Sequence, residues 1–404
     1  MIVRQFLLWA QTAPPGQRAE ALGALARAYL YGHLSPLDRA EAETAMTAFL
    51  DDPSPLVRRA LAEAVANAAE APRHIVVALA NDQSDIAARV LARSTLLSEA
   101  DLVDCAALGD ELTQTAIASR PYVPVSVSAA LAEIAAAGPL VTLAKNSGAV
   151  IAELSLARMV ERHGKEAELR EALLARSDLP LSIRQTIAVA LSESLASFVR
   201  SCGWLTAARM ERVVQEAKEK ATVALSSEAT REDVARLVAH LRSTGQLTPG
   251  LILRAMLSRA QGFVEAALAE LTGLPAERVA GLLWDRRGAG GAALLRKAGL
   301  PDSLLLAFEA ALTAWREGGR DPLEAAGAQL SRRMVERVLS ACETLAPDEA
   351  ARLLALLRRF EAEAARDEAR KLASALADEA ALATVLEHAP DMLDRPALIA
   401  QVAA

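Results

Sequence analysis

The stretch Asp51-Asp52-Pro53-Ser54-Pro55-Leu56-Val57-Arg58-Arg59-Ala60-Leu61-Ala62 decides how the rest of the chain is read. Ser54 is a residue of the N-cap type, and Pro55 fits the first helical position, where its missing N–H costs nothing. From there Leu56, Ala60, Leu61 and Val65 recur at helical steps, with Arg58, Arg59 and Glu63 off that stripe. The spacing predicts a turn followed by an amphipathic helix. Thirty residues on, Asn81-Asp82-Gln83-Ser84-Asp85-Ile86-Ala87-Ala88-Arg89-Val90-Leu91 repeats the phase. Ser177-Asp178-Leu179-Pro180-Leu181-Ser182-Ile183-Arg184 is a further copy, and Asn146-Ser147-Gly148-Ala149-Val150-Ile151 a weaker one. Positions 52, 82, 146 and 178 suggest a step near 30 to 32 residues, with no legible copy around position 114.

Asp-Pro followed by Val-Arg, as at Asp52-Pro53 and Val57-Arg58, resembles the signature of HEAT repeats. The resemblance spans roughly residues 36–200, although the step is shorter than the 40–47 residues or so usual for that repeat. It implies a right-handed α-α superhelix in which Asp and Arg bond between neighbouring repeats. The residues expected in such a ladder are Asp52, Arg58, Asp82, Arg89, Asp178 and Arg184.

Composition agrees with helices throughout. Of the 404 residues, 52% are hydrophobic but only 3% aromatic, so the apolar content is mostly Ala and Leu. Both are strong helix formers, whereas strands draw on Val, Ile and aromatics. Helix starts are written along the chain at Ser35-Pro36, Thr248-Pro249, Asp321-Pro322 and Ala346-Pro347, and capping boxes at Ser98–Asp101 and Thr230–Asp233. The expected fold is all-α: a helical-repeat region over 1–200, a helical domain over 201–320 and a C-terminal helical segment over 321–404. The apolar face Leu353, Leu354, Leu356, Leu357 and Phe360 would make that last segment a cap or a homodimer contact.

The block Gly245–Pro301 resembles a second family, the bacterial domain of unknown function 2336. The matching pieces are Leu247-Thr248-Pro249, Leu253-Arg254-Ala255, Phe263, Leu274-Pro275, Asp285 with its glycines, and Ala298-Gly299-Leu300-Pro301. The resemblance implies an all-helical fold and no assigned activity.

Chemistry-bearing residues are sparse. The five histidines form no HExxH pair, and the three cysteines, Cys105, Cys202 and Cys342, form no CxxC. All three thiols read as buried and structural. No catalytic, metal or cofactor site is expected, and the chain is read as a non-enzyme. Gly288-Ala289-Gly290-Gly291 precedes a helix and could offer backbone amides to an anion, with Arg286, Arg287, Gly290 and Gly291 around it. The nucleotide fingerprints are missing there, so a Gly-rich turn between helices is the alternative. A net charge of −7 points away from nucleic acid. The first residues lack a signal-type apolar run, and the least charged stretch is broken by Glu133 and Gly138-Pro139. A cytoplasmic protein away from membranes is expected. The function that fits is a scaffold binding another protein, and the alternative is a sensor of a small anion at residues 285–297.

Overall fold

The computed structural model describes residues 2–203, 206–227, 229–285, 289–317, 330–343 and 347–388. It is all-α, and among the described residues the only β-type pairing is one isolated parallel bridge, Val123 with Ala149. Two compact units divide the chain, Met1–Trp204 and Leu205–Ala404.

The first unit contains α1 (Ile2–Ala10), α2 (Pro15–Tyr31), α3 (Pro36–Ala48), α4 (Pro55–Val65), α5 (Arg73–Ala80), α6 (Ser84–Leu91) and α7 (Glu99–Leu108). It continues with α8 (Glu111–Ala118), α9 (Val125–Ile134), α10 (Ala137–Lys145), α11 (Glu153–His163), α12 (Ala167–Leu174) and α13 (Leu181–Ser201). Most are too short to be stable alone. They are held by stacking on the helix two places along. In one row α2, α4, α6, α8, α10 and α12 pack in succession; in the other α1 packs on α3, and α7, α9, α11 and α13 follow one another. Leu61, Leu79, Ile86, Leu91, Ile117, Leu131 and Leu143 are fully buried between the rows. Buried alanines such as Ala62, Ala106 and Ala118 let neighbouring backbones approach.

Helices α5, α7, α9, α11 and α13 have their N-caps at residues 72, 98, 124, 152 and 180, and α4, α6, α8, α10 and α12 at residues 54, 83, 110, 136 and 166, so one helix pair occupies 26–30 residues. This period refines the step read from the sequence. Asp52 and Asp82 precede α4 and α6 of one row, while Asn146 and Asp178 precede α11 and α13 of the other. The member of the first series near position 114 is Asp110, which caps α8 by accepting from Thr113 N–H at 3.0 Å. Side-chain caps occur in both rows, from Asp110 on α8 and from Ser98 on α7, so caps alone do not tell the rows apart.

Where α9 and α11 begin, the chain segments touch directly. Val123 N–H donates to Gly148 O at 3.2 Å, and Val150 N–H to Val123 O at 3.0 Å. A Cβ on Gly148 would lie 1.9 Å from Pro121 O, so only glycine fits this crossing.

The second unit contains α14 (Ala207–Ser227), α15 (Arg231–Ser243), α16 (Pro249–Leu257), α17 (Gln261–Thr272), α18 (Ala276–Leu283), α19 (Ala289–Lys297), α20 (Asp302–Glu317), α21 (Arg332–Cys342) and α22 (Pro347–His388). At its centre lies α16, packed on α14, α17 and α20, with every residue from Leu251 to Leu257 buried. α22 packs on α20 and α21 through Leu353, Leu357, Phe360 and Ala364. The Asp321-Pro322 helix start expected from the sequence lies outside the described residues.

Candidate functional site

A polar ladder runs through the first unit, with rungs near the junctions between successive helix pairs. On α4, Arg58 grips Asp82 with two parallel bonds, Nε to Oδ2 at 2.7 Å and Nη2 to Oδ1 at 3.0 Å. Its Nη1 donates to Asp52 O at 2.6 Å. One repeat earlier, Arg18 on α2 holds the Asp52 carboxylate the same way at 2.9 and 2.8 Å. Burial alone would push the Asp52 carboxyl up. The bonds from Arg18 and the Ser54 N–H, with the charges of Arg18 and Arg58, outweigh it and hold the group below the usual carboxylate range.

Further along, the acceptors become backbone carbonyls. Arg120, just past α8, donates to Leu91 O and to Ser94 O, the latter at 2.7 Å. Its guanidinium is buried, which pulls its pKa down. Just past α10, Asn146 donates to Ala118 O at 2.8 Å and Arg120 O at 2.7 Å, and accepts from Gly148 N–H at 2.8 Å. Just past α12, Arg176 donates to Ala144 O, Asn146 O and Ala149 O at 3.2, 3.0 and 3.1 Å. Each rung satisfies carbonyls that the end of a helix leaves without an intrahelical partner. The sequence does carry this signal: Ala92-Arg93-Ser94, Ser119-Arg120-Pro121, Lys145-Asn146-Ser147 and Ala175-Arg176-Ser177 recur at the repeat period.

The structure therefore gathers Arg58, Asp82 and Asp52 into consecutive rungs. Arg89 sits apart from them, 3.2 Å from Glu63 across α4 and α6. Asp178 pairs with Arg176 at 2.8 Å, and Arg184 donates to Arg176 O and Leu179 O at 3.3 and 3.4 Å. Asp178 thus joins the Arg176 rung, while Arg184 serves the start of α13 in the second row.

Beside the ladder, α2 and α4 enclose a groove. Ala19, Gly23, Ala60 and Ala64 supply its small side chains, and Glu20, Arg27, Arg59 and Glu63 its charges. Tyr31 and Leu56 also line it, and they are 73% and 48% exposed. The charged edge continues onto α6 through Arg59 with Asp85 and Glu63 with Arg89.

In the second unit, Arg286 and Arg287 lie outside the described residues. Gly290 and Gly291 fall in the first turn of α19. A Cβ on Gly291 would come within 2.6 Å of the Leu312 side chain and 2.9 Å of Arg316, and one on Gly290 within 3.1 Å of Leu282 O. These glycines let α19 press against α18 and α20. Trp284 donates to Glu265 at 2.7 Å and meets Trp315 edge-on at 4.8 Å.

The arginine of Leu253-Arg254-Ala255 anchors a buried charge cluster between α14, α16 and α22. Arg254 is 1% exposed. It donates to both Glu363 oxygens at 2.9 and 3.0 Å, lies 3.5 Å from Glu219 and stacks over Phe360 at 4.7 Å. Lys220 adds Asp367 at 2.6 Å. Sequence reading left this arginine without a role, because its partners lie on helices remote in the chain.

Cys105 and Cys342 are buried, and burial pushes both thiols up, with Asp101 and Asp104 adding to the effect at Cys105. Cys202 is exposed at the C-cap of α13, which corrects the expectation of a third buried thiol. Among the described residues no group of three His, Cys, Asp or Glu side chains could hold a metal, and no helix is long and apolar enough to cross a membrane.

Compared with known proteins, the chain matches one family model over residues 86–348, that of an uncharacterised protein conserved in bacteria (DUF2336). No curated protein and no solved structure matches it.

Proposed function

The chain belongs to the bacterial DUF2336 family, and we propose that it is an interaction scaffold that holds a partner protein on the α2–α4–α6 side of its helical stack. The observation that carries this reading is the groove between α2 and α4. It joins two exposed apolar side chains, Tyr31 and Leu56, to small residues and charges of both signs. Such a surface suits a protein segment that inserts an apolar anchor and pairs charges at its rim. Stacked helix pairs extend a surface of this kind from one repeat to the next, as in HEAT-like solenoids of right-handed twist. The groove precedes the residues matched by the family model, so it would give this member its own choice of partner. Unpaired thiols suit a reducing compartment, which makes the cytoplasm the setting of this reading.

The test is a comparison of two full-length baits, wild type and Tyr31→Ser/Leu56→Glu, in lysate of the source cells. The reading expects one stoichiometric protein that the double variant fails to retain. A partner held equally by both baits places binding elsewhere, and the absence of any partner removes the scaffold reading.

A further inference from the structure

The outward face of α2 carries an ordered stripe. At about 100° per residue, Gly16, Glu20, Gly23, Ala24, Arg27 and Tyr31 fall within an arc of roughly 100°. Glu20, Ala24, Arg27 and Tyr31 follow one another at steps of four, three and four, the spacing of a seam between two helices. All of the six but Gly23 are exposed. Gly16, Gly23 and Ala24 keep the stripe low, which lets a second helix come close. Around Gly16 the space is open, with nothing within 4 Å of an added Cβ.

The charges on this stripe are uncommitted. On the other wall of the groove, Arg59 is engaged by Asp85 and Glu63 by Arg89. Glu20 and Arg27 have no ion-pair or hydrogen-bond partner among the described residues. The Arg27 guanidinium folds back along its helix, since a Cβ on Gly23 would lie 3.4 Å from its Nη1. The apolar anchors stand at opposite ends. α2 and α4 start side by side, where Arg18 holds Asp52, and pack along their length, so they run the same way. Leu56, in the first turn of α4, therefore marks one end of the groove, and Tyr31, the last residue of α2, marks the other.

A surface ordered in this way is complementary to itself. Laid parallel, a second α2 would set Glu20 on Glu20 and Arg27 on Arg27. Laid antiparallel, about a two-fold axis between Gly23 and Ala24, it sets Glu20 against Arg27 twice. The same register brings Tyr31 of each copy over the open Gly16 of the other and toward the Leu56 end of its groove. We propose that the partner held at the α2–α4 groove is a second copy of this chain, paired antiparallel through α2. The inference rests on the partner-binding reading of that groove and names its occupant.

Sedimentation of the full-length protein tests it, with wild type, Tyr31→Ser/Leu56→Glu, Glu20→Arg, Arg27→Glu and the double reversal Glu20→Arg/Arg27→Glu. All these sites are exposed, so the fold should survive each change. The expected wild type is a dimer, and the Tyr31→Ser/Leu56→Glu variant a monomer. Each single reversal should weaken the dimer by about tenfold, because it breaks two symmetry-related pairs, and the double reversal should restore it. In a Cys202→Ser background, Ala24→Cys should form a disulfide between copies on mild oxidation, while Leu37→Cys on α3 should not. A dimer indifferent to the α2 and α4 changes overturns the proposal. Failure of the double reversal to rescue, or of Ala24→Cys to crosslink, overturns the antiparallel register. A monomeric wild type also overturns the proposal. If Tyr31→Ser/Leu56→Glu then still fails to retain a different protein from lysate, the partner-binding reading of the groove survives; if no protein is lost, both fall.

Discussion

Arg58 and Asp82 join two successive helix pairs through a bidentate ion pair with bonds of 2.7 and 3.0 Å, and the same arginine reaches the main chain of Asp52 at 2.6 Å. One side chain thereby fixes both the spacing and the rotation of neighbouring repeats. The pair is mostly buried, with side chains 13% and 14% exposed, so its geometry is protected from solvent.

Replacing Asp82 by Asn should lower stability by about 1–2 kcal/mol, since a charge-assisted fork becomes a weaker neutral contact. A double-mutant cycle of Arg58→Met and Asp82→Asn, read by urea unfolding, should return a coupling of about 1 kcal/mol. A coupling indistinguishable from zero would mean that the rung carries no stability.

Acid should weaken the stack through Asp52. Its folded pKa lies below the value near 3.9 of an unfolded Asp, so the unfolded chain binds more protons in that range. The stabilisation is present above the unfolded value and is lost as pH falls through the folded one. Asp52→Asn should therefore reduce stability at neutral pH and flatten its decline below about pH 4. Equal acid sensitivity in both proteins would show that Asp52 is not a source of it.

Two glycines should respond in opposite directions. Gly148→Ala drives a methyl group to 1.9 Å from Pro121 O and should cost more than about 2 kcal/mol. Gly281 is exposed inside α18 with nothing within 4 Å of an added Cβ. Gly281→Ala should stabilise by about 0.5–1 kcal/mol. Thermal melts of the two variants, shifted down and up, are the readout.

Arg254→Met should be among the most damaging single changes in the second unit, at about 3–5 kcal/mol. It would leave Glu219 and Glu363 facing each other without their shared cation. Adding Glu363→Gln should recover part of the loss. If the double variant is no more stable than Arg254→Met alone, the cluster does not owe its stability to charge balance.

The helices and most of their starts were legible in the sequence because caps and apolar steps are local. Ser35, Ser98, Thr230 and Thr248 accept from N–H groups of their first turns as their spacing predicts. Ser54 does not cap α4 with its side chain; its own N–H is bound by Asp52. The two rows were not legible, since residues 52 and 178 look alike locally and differ only in what they stack on. The later rungs were hidden for another reason. Arg120, Asn146 and Arg176 donate to backbone carbonyls, which have no letter in a sequence. Arg254 reads as one charge in an apolar helix until α14 and α22 bring Glu219 and Glu363 to it.

The most direct test of the scaffold reading is photo-crosslinking in the source cells, with a photoreactive residue placed singly at Tyr31, Leu56, Leu37 or Leu154. All four positions are exposed, two on α2 and α4 and two on α3 and α11 of the other row. The account predicts that Tyr31 and Leu56 trap the same single protein while Leu37 and Leu154 trap none. Capture from Leu37 and Leu154 alone, or no capture from any position, would contradict it.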